Sequence, residues 1–259
     1  MDFAAFKSGV RDSFALDLDS YKETQLKRRL ESFLARKSTD YGTYFRQLLA
    51  NRAEFREFVE FLTINVSEFF RDAHLFGLLE KEILPRLLSR RKTLRVWSAA
   101  CANGAEPYSL AILLEELSPG RRHRILATDI DQQILQVAQQ AVYGPEILRN
   151  VSAPRLTRFF RDGPDRKYRL VEEIGKRVEF RQHNLLKDPF ETDFDLIACR
   201  NVLIYFKREA QDDLFRKFSR SLNPGGVLFI GGSEMIFHYQ ELGLERIHSC
   251  LYARMGKTG

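Results

Sequence analysis

The stretch LRVWSAACANGAEPYSLAILLEEL (94–117), followed by HRILATDID (123–131), decides the fold. LRVWSAA (94–100) is a short apolar run of strand character, and EPYSLAILLEEL (106–117) has the length and composition of a helix. HRILATDID repeats the strand pattern and ends on acidic residues, and QQILQVAQQAV (132–142) returns to helical spacing. Strands alternating with helices of this length predict βαβ units and a parallel sheet. Right-handed crossovers then place ligands at the carboxyl ends of the strands.

The same texture continues on the C-terminal side. FDLIACRNVLIYF (194–206) reads as a strand running into a turn, REAQDDLFRKFSRSL (208–222) as a helix, and VLFIGGSE (227–234) as a strand after the turn NPGG. One stretch breaks the alternation: YRLVEEI (168–174) and KRVEFRQHN (176–184) meet at Gly175. They predict an antiparallel hairpin within a small β-subdomain inserted at about 145–183. Residues 1 to about 75 differ again, with no proline and only Gly9 and Gly42 as glycines. Stripes at Leu26, Leu30, Phe33, Leu34 and at Phe55, Phe58, Val59, Phe61, Leu62 have helical spacing. The expected organisation is an all-α domain over 1–75 and a Rossmann-like α/β domain over 76–259.

The chain has 259 residues, 44% hydrophobic and 29% charged, an ordinary balance for a soluble protein, and its 21 phenylalanines can fill a sizeable core. No apolar run approaches the ~20 residues of a membrane span, and the start MDFAAFKSGVRDSF has no apolar signal region, so a cytoplasmic address without membrane insertion is expected. Cys101, Cys199 and Cys250 are scattered and odd in number, which argues against a disulfide framework or a structural zinc site; no metal is expected. A net charge of +6 favours an acidic partner of some kind.

Four places carry candidate chemistry. The small-residue loop SAACANGAEPYS (98–109) would let a ligand approach the backbone at a helix N-terminus, or it is simply a tight turn around Gly104. Asp129, about 25 residues on, can accept both hydroxyls of a ribose or cap the next helix, although Asp131 is better placed to cap. The loop lacks G-x-G-x-x-G, so a nucleoside cofactor without a pyrophosphate, such as S-adenosylmethionine, fits better than a dinucleotide. Arg200, Asn201 and Tyr205 in CRNVLIYF lie at the expected active edge of the sheet. In TINVSEFFRD (63–72), Glu68 and Arg71 at i, i+3 form a helical ion pair, or the segment closes over the cofactor.

Together INVSEFFRD, VWSAAC..G.EPYSLA, ATDID, HNLL, CRNVLIYF and NPGGVLF.GGSE resemble, in order and spacing, the chemotaxis receptor methyltransferases of the CheR type over nearly the whole chain. The resemblance implies an N-terminal helical domain, a Rossmann-like domain and a small antiparallel β-subdomain. It implies methyl transfer from S-adenosylmethionine to glutamate side chains of chemoreceptors. It further implies that Asn65, Ser67 and Arg71 reach the cofactor from the junction, that Glu106 and Asp129 serve its ribose and amino-acid side, that Asn184 and Leu185 flank the adenine, and that Arg200 and Asn201 line the floor. Arg71 and Tyr205 would lie near the transferred methyl. Where the family often has S-T-G-E-E-P, this chain has Ala105 in place of the first Glu and keeps Glu106. The turn DGPDRKY (162–168) looks shorter than in members that dock on a receptor's C-terminal pentapeptide, so independence of such a tether is expected.

A glutamate acceptor is already an anion at neutral pH, with an ordinary pKa of about 4.3, so no catalytic base is required. Lys22, Arg29 and Arg36 recur every seven residues opposite the Leu26/Leu30 stripe, flanked by Lys27 and Arg28. They form either a solvated helix face or a docking strip for acidic receptor helices. A nucleic-acid methyltransferase would share the fold, but CRNVLIY is not its N/D-P-P-Y/F motif and no aromatic-interleaved basic stretch is evident. A non-catalytic regulator is disfavoured by retention of Arg71, Asp129, Asn201 and Tyr205. No coiled-coil seam appears, and a monomer is expected.

Overall fold

A computed structural model describes residues 1–63 and 65–256. Four helices come first: α1 (Phe3–Phe14), α2 (Glu23–Arg36), α3 (Tyr41–Ala50) and α4 (Arg52–Leu62). Side chains at their starts satisfy otherwise orphaned backbone donors: Asp2 accepts from the Ala5 N–H, Asp40 from Gly42 and Thr43, and Asn51 from Ala53. Their apolar stripes meet in one core around Phe6, Leu30, Tyr44 and Phe58, each fully buried. Phe58 stands edge-on to Phe6 and Tyr44.

Beyond the junction, α5 (Ala73–Leu78) passes through a wider π-type turn into α6 (Leu84–Arg90). Then come β1 (Arg95–Ala99), α7 (Ala105–Leu117), β2 (Arg124–Asp129) and α8 (Gln132–Gln140). The insertion holds β3 (Val142–Tyr143), α9 (Ala153–Phe159), β4 (Phe160–Asp162) and β5 (Tyr168–Leu170). The chain continues through α10 (Glu172–Gly175), β6 (Val178–Gln182), β7 (Phe194–Cys199), α11 (Arg208–Ser221), β8 (Leu222–Ile230), β9 (Leu244–His248) and β10 (Leu251–Arg254). The seven-stranded sheet runs β6-β2-β1-β7-β8-β10-β9. Strands β6, β2, β1, β7 and β8 are parallel, and β10 is antiparallel to both its neighbours. This is a Rossmann-like α/β domain preceded by an all-α domain, with a separate antiparallel sheet β3-β5-β4.

Strand β1 sits at the centre. Its Trp97 is buried, stacks on Phe194 and donates through the indole N–H to the Thr128 hydroxyl at 2.9 Å. Helix α7 is buried from Ala105 to Leu114, as its nearly unbroken apolar sequence requires. The chain winds from β1 outward to β2 and β6, then returns beyond β1 to β7 and β8. The reversal opens a crevice at the carboxyl ends of β1 and β7, where such sheets bind ligands.

The structure corrects two expectations. YRLVEEI and KRVEFRQHN do not form a hairpin about Gly175. β5 pairs with β3 and β4, residues 172–175 are helical, and β6 joins the main sheet parallel to β2. The antiparallel hairpin is instead β4–β5, closed where the Gly163 N–H donates to the Lys167 carbonyl at 2.8 Å. The described part of 63–72 is not helical, and Phe70 and Asp72 take left-handed backbone conformations (φ 51° and 59°). Glu68 pairs with Arg149, not Arg71.

Phe58→Ala should remove the ring at the centre of the helical core and cost about 3–5 kcal/mol of stability in urea unfolding. A loss below ~1 kcal/mol, the range of a surface change, would show that the four helices do not share that core.

Candidate functional site

The carboxyl ends of the parallel strands converge on a cleft. Asn65, Ser67, Arg71, Glu106, Asp129, Asn184, Leu185, Arg200, Asn201 and Tyr205 all line it. Sequence positions from the junction, α7, and the ends of β2, β6 and β7 are thus brought to one place.

Glycine is required in the loop after β1. Gly104 has φ +83°, and a Cβ there would stand 2.9 Å from the Ala138 Cβ. Asp129, at the end of β2, is buried and accepts from the backbone N–H groups of Ala102 (2.9 Å) and Asp131 (3.0 Å). Burial raises its pKa, and those N–H groups pull it back down. Asp131 takes the capping role, accepting from Gln133 and Ile134 at the start of α8. Its second oxygen accepts from the Asn65 amide at 2.9 Å. Asp129 therefore lines the cleft while Asp131 caps α8.

Glu106 opens α7 and is buried. One oxygen accepts from the Ser98 hydroxyl at 2.7 Å and the other from Arg200 at 3.3 Å. The Arg200 side chain is only 2% exposed; it also donates to Asp72 (2.6 Å) and to the Arg71 carbonyl (3.0 Å). The guanidinium lies over the rings of Phe76 and Phe229. Arg200 thus fixes Glu106 and the junction more than it faces open space. Asn201 takes a left-handed conformation (φ 59°).

The junction crosses the carboxyl edge as a strap. Asn65 holds Asp131, the Ser67 carbonyl accepts from Asn103 (3.1 Å), and the Phe70 N–H donates to the Ser109 hydroxyl (3.0 Å). Arg71 projects from this strap and donates to the Val66 carbonyl at 3.2 Å. Among the described residues, no carboxylate lies within 4.0 Å of its guanidinium, whereas Arg200 has two.

Sequence reading missed several contributors. His183 lines the cleft beside Asn184, and partial burial against Trp97 and Phe190 lowers its pKa. Tyr21 of the helical domain also lines the cleft, its hydroxyl pKa pushed up to about 12 by burial. Tyr21 stands edge-on to Phe206, while the Lys22 N–H donates to the Tyr205 carbonyl (2.9 Å) and Lys207 to the Ser20 carbonyl (2.7 Å). The helical domain is stitched to the rim at this point. The buried carboxylate of Glu234, just beyond β8, had a readable signal: it follows a strand end at the ligand-binding edge. All three cysteines are buried, and burial raises each thiol.

Lys22, Arg29 and Arg36 lie outside the cleft. Lys22, Arg28 and Arg29 border a groove shared with Tyr21 and Tyr205, and Arg28, Arg29 and Arg36 border the next groove along α2. The strip is therefore continuous with the cleft mouth. Arg29 is not fully solvated: it lies over the Phe61 ring and donates to the Phe61 carbonyl at 2.6 Å. Among the described residues no group of His, Cys, Asp and Glu could hold a metal ion.

The all-α domain of CheR methyltransferases matches residues 1–63, and the family's S-adenosylmethionine-binding domain matches residues 65–249. A chemotaxis protein methyltransferase of Listeria innocua is 42% identical over 98% of this chain and 97% of its own length. Those of Salmonella typhimurium (40% identical; 75% of this chain, 69% of the relative) and Escherichia coli (38% identical; 83% and 76%) are similar too. The chain therefore belongs to the CheR family and is an S-adenosylmethionine-dependent methyltransferase.

Proposed function

We propose that this enzyme methylates glutamate side chains on the cytoplasmic helices of chemoreceptors, forming glutamyl methyl esters that adapt the receptors during chemotaxis. The observation that carries the acceptor is Arg71, a cation lining the cleft with no carboxylate partner of its own among the described residues. It suits an incoming carboxylate by charge and by its forked donors.

S-adenosylmethionine supplies a methyl group activated by a positive sulfur. The residues present fit that molecule. Asp129 and Glu106 are buried acceptors suited to ribose hydroxyls and an ammonium group. The apolar side chains of Ile130, Leu185 and Leu186 flank the cleft beside Asn184, where a flat adenine would be covered. Asn65, Ser67 and Arg71 close it from the strap, and Arg200 and Asn201 form its floor.

The acceptor arrives as an anion, so the protein need not remove a proton. Its task is to hold the carboxylate against the methyl in a site with little water. Arg71 orients the carboxylate, and Tyr205 borders the methyl. Lys22, Arg29 and Arg36 extend the site along α2 and attract the acidic helix that carries the glutamate. The short β4–β5 turn supports recognition without a C-terminal receptor tether. We read the enzyme as a cytoplasmic monomer that acts on protein and not on nucleic acid. No helix among the described residues is long and apolar enough to cross a membrane.

Arg71→Ala should lower kcat/KM for receptor methylation by roughly 100-fold or more, the usual scale for a lost electrostatic contact at a reacting group. Near-normal turnover would remove Arg71 from the chemistry. Reversing Lys22, Arg29 and Arg36 to Glu should raise the KM for receptor at least about tenfold while S-adenosylhomocysteine affinity stays unchanged. Because Arg29 also contacts Phe61, the Lys22→Glu/Arg36→Glu pair alone should show the same direction. Unaltered receptor KM in both variants would make the strip an ordinary solvated face.

A further inference from the structure

Glu234 has no part in the chemistry described above. It follows β8 and Gly231–Gly232, and it is buried. A buried carboxylate is costly unless its charge is met. Among the described residues no Lys, Arg or His side chain pairs with it within 4.0 Å; four backbone N–H groups do the work instead. One oxygen accepts from Gly231 (2.6 Å) and Asn201 (3.1 Å). The other accepts from Leu203 (2.9 Å) and Ile204 (3.3 Å).

Three of those donors belong to the loop after β7, which carries Asn201 and Tyr205 into the cleft. Asn201 sits at φ 59°, a left-handed conformation that asparagine accepts more readily than other side-chain-bearing residues. Glu234 ties that turn from the end of the adjacent strand. The joint is tight: a Cβ on Gly231 would stand 2.8 Å from the Glu234 carboxylate and 2.9 Å from the Asn201 nitrogen.

We propose that Glu234 is a positioning residue for the cofactor: its carboxylate holds the Asn201–Tyr205 turn in the shape that lines the cleft. This inference rests on the assignment of the cleft to the cofactor. Burial raises the pKa of the carboxyl and the four N–H groups pull it back down, and both of its oxygens are needed as acceptors because all four neighbours are donors. A Gln at this position keeps the volume but turns an NH₂ group toward N–H donors, leaving them unmet.

The test is calorimetric binding of S-adenosylhomocysteine to the full chain, with circular dichroism to confirm folding. Glu234→Gln should weaken binding roughly 10- to 100-fold. Gly231→Ala, which strains the same joint from the other side, should act in the same direction and serves if the first variant does not fold. Asn201→Ala should cost much less in the Glu234→Gln background than in the wild type, because the turn is already displaced. Folded Glu234→Gln protein that binds within about twofold of wild type, or losses that simply multiply with Asn201→Ala, would overturn the proposal. If wild-type protein failed to bind S-adenosylhomocysteine, the cofactor assignment would fall first and this inference with it.

Discussion

The arrangement of the site depends on one buried cation. Arg200 ends β7 with its side chain almost wholly excluded from water, and a charge so placed must be met from several directions. Glu106 meets it from α7, Asp72 from the junction, and the Arg71 carbonyl from the strap. Phe76 and Phe229 cover its faces. Asp72 and the Arg71 carbonyl thereby tie the strap to the sheet edge. The left-handed backbone at Asp72 accompanies that contact. Arg71 gains its place in the cleft because its neighbour and its own carbonyl are fixed to Arg200.

This explains which parts of the molecule were legible in the sequence. The β1–α7–β2 unit was readable because burial on both faces demands continuous apolar runs, and the cleft residues were readable because parallel strands present their carboxyl ends together. Strand β6 was recognised as a strand but given the wrong partner. Local alternation cannot distinguish an antiparallel neighbour a few residues away from a parallel one far back in the chain, and β2 is the latter. Strands β9 and β10 went unread, since Glu245, Arg246 and His248 on the exposed edge mask the apolar rhythm. The junction invited a helical reading because Glu68 and Arg71 have helical spacing, whereas Glu68 pairs with Arg149 in the insertion and Arg71 donates to the Val66 carbonyl of the junction itself. Glu234 could be read as an acid beyond a strand end, but its four backbone donors could not, for they come from two loops that only folding brings together.

The division of charge within the protein follows the chemistry. Acidic side chains that line the cleft are buried and hydrogen-bonded, suited to hydroxyl and ammonium groups. Basic side chains border the grooves along α2, and Arg71 faces the cleft from the strap. The helical domain contributes to both regions, since Tyr21 reaches the cleft while the next residues begin the basic strip. Its attachment at Tyr205 and Phe206 joins the basic strip to the rim of the cleft. An acceptor that is already ionised makes a dedicated base unnecessary.

The central claim is transfer to a carboxylate, and the chemistry of the product tests it most directly. The enzyme is incubated with methyl-labelled S-adenosylmethionine and acidic fragments of a chemoreceptor cytoplasmic domain, and the product is treated with mild base. The account predicts label on the receptor fragment that base releases as methanol, the signature of a glutamyl methyl ester. Label that survives base, or that appears on nucleic acid and not on the receptor, would contradict it.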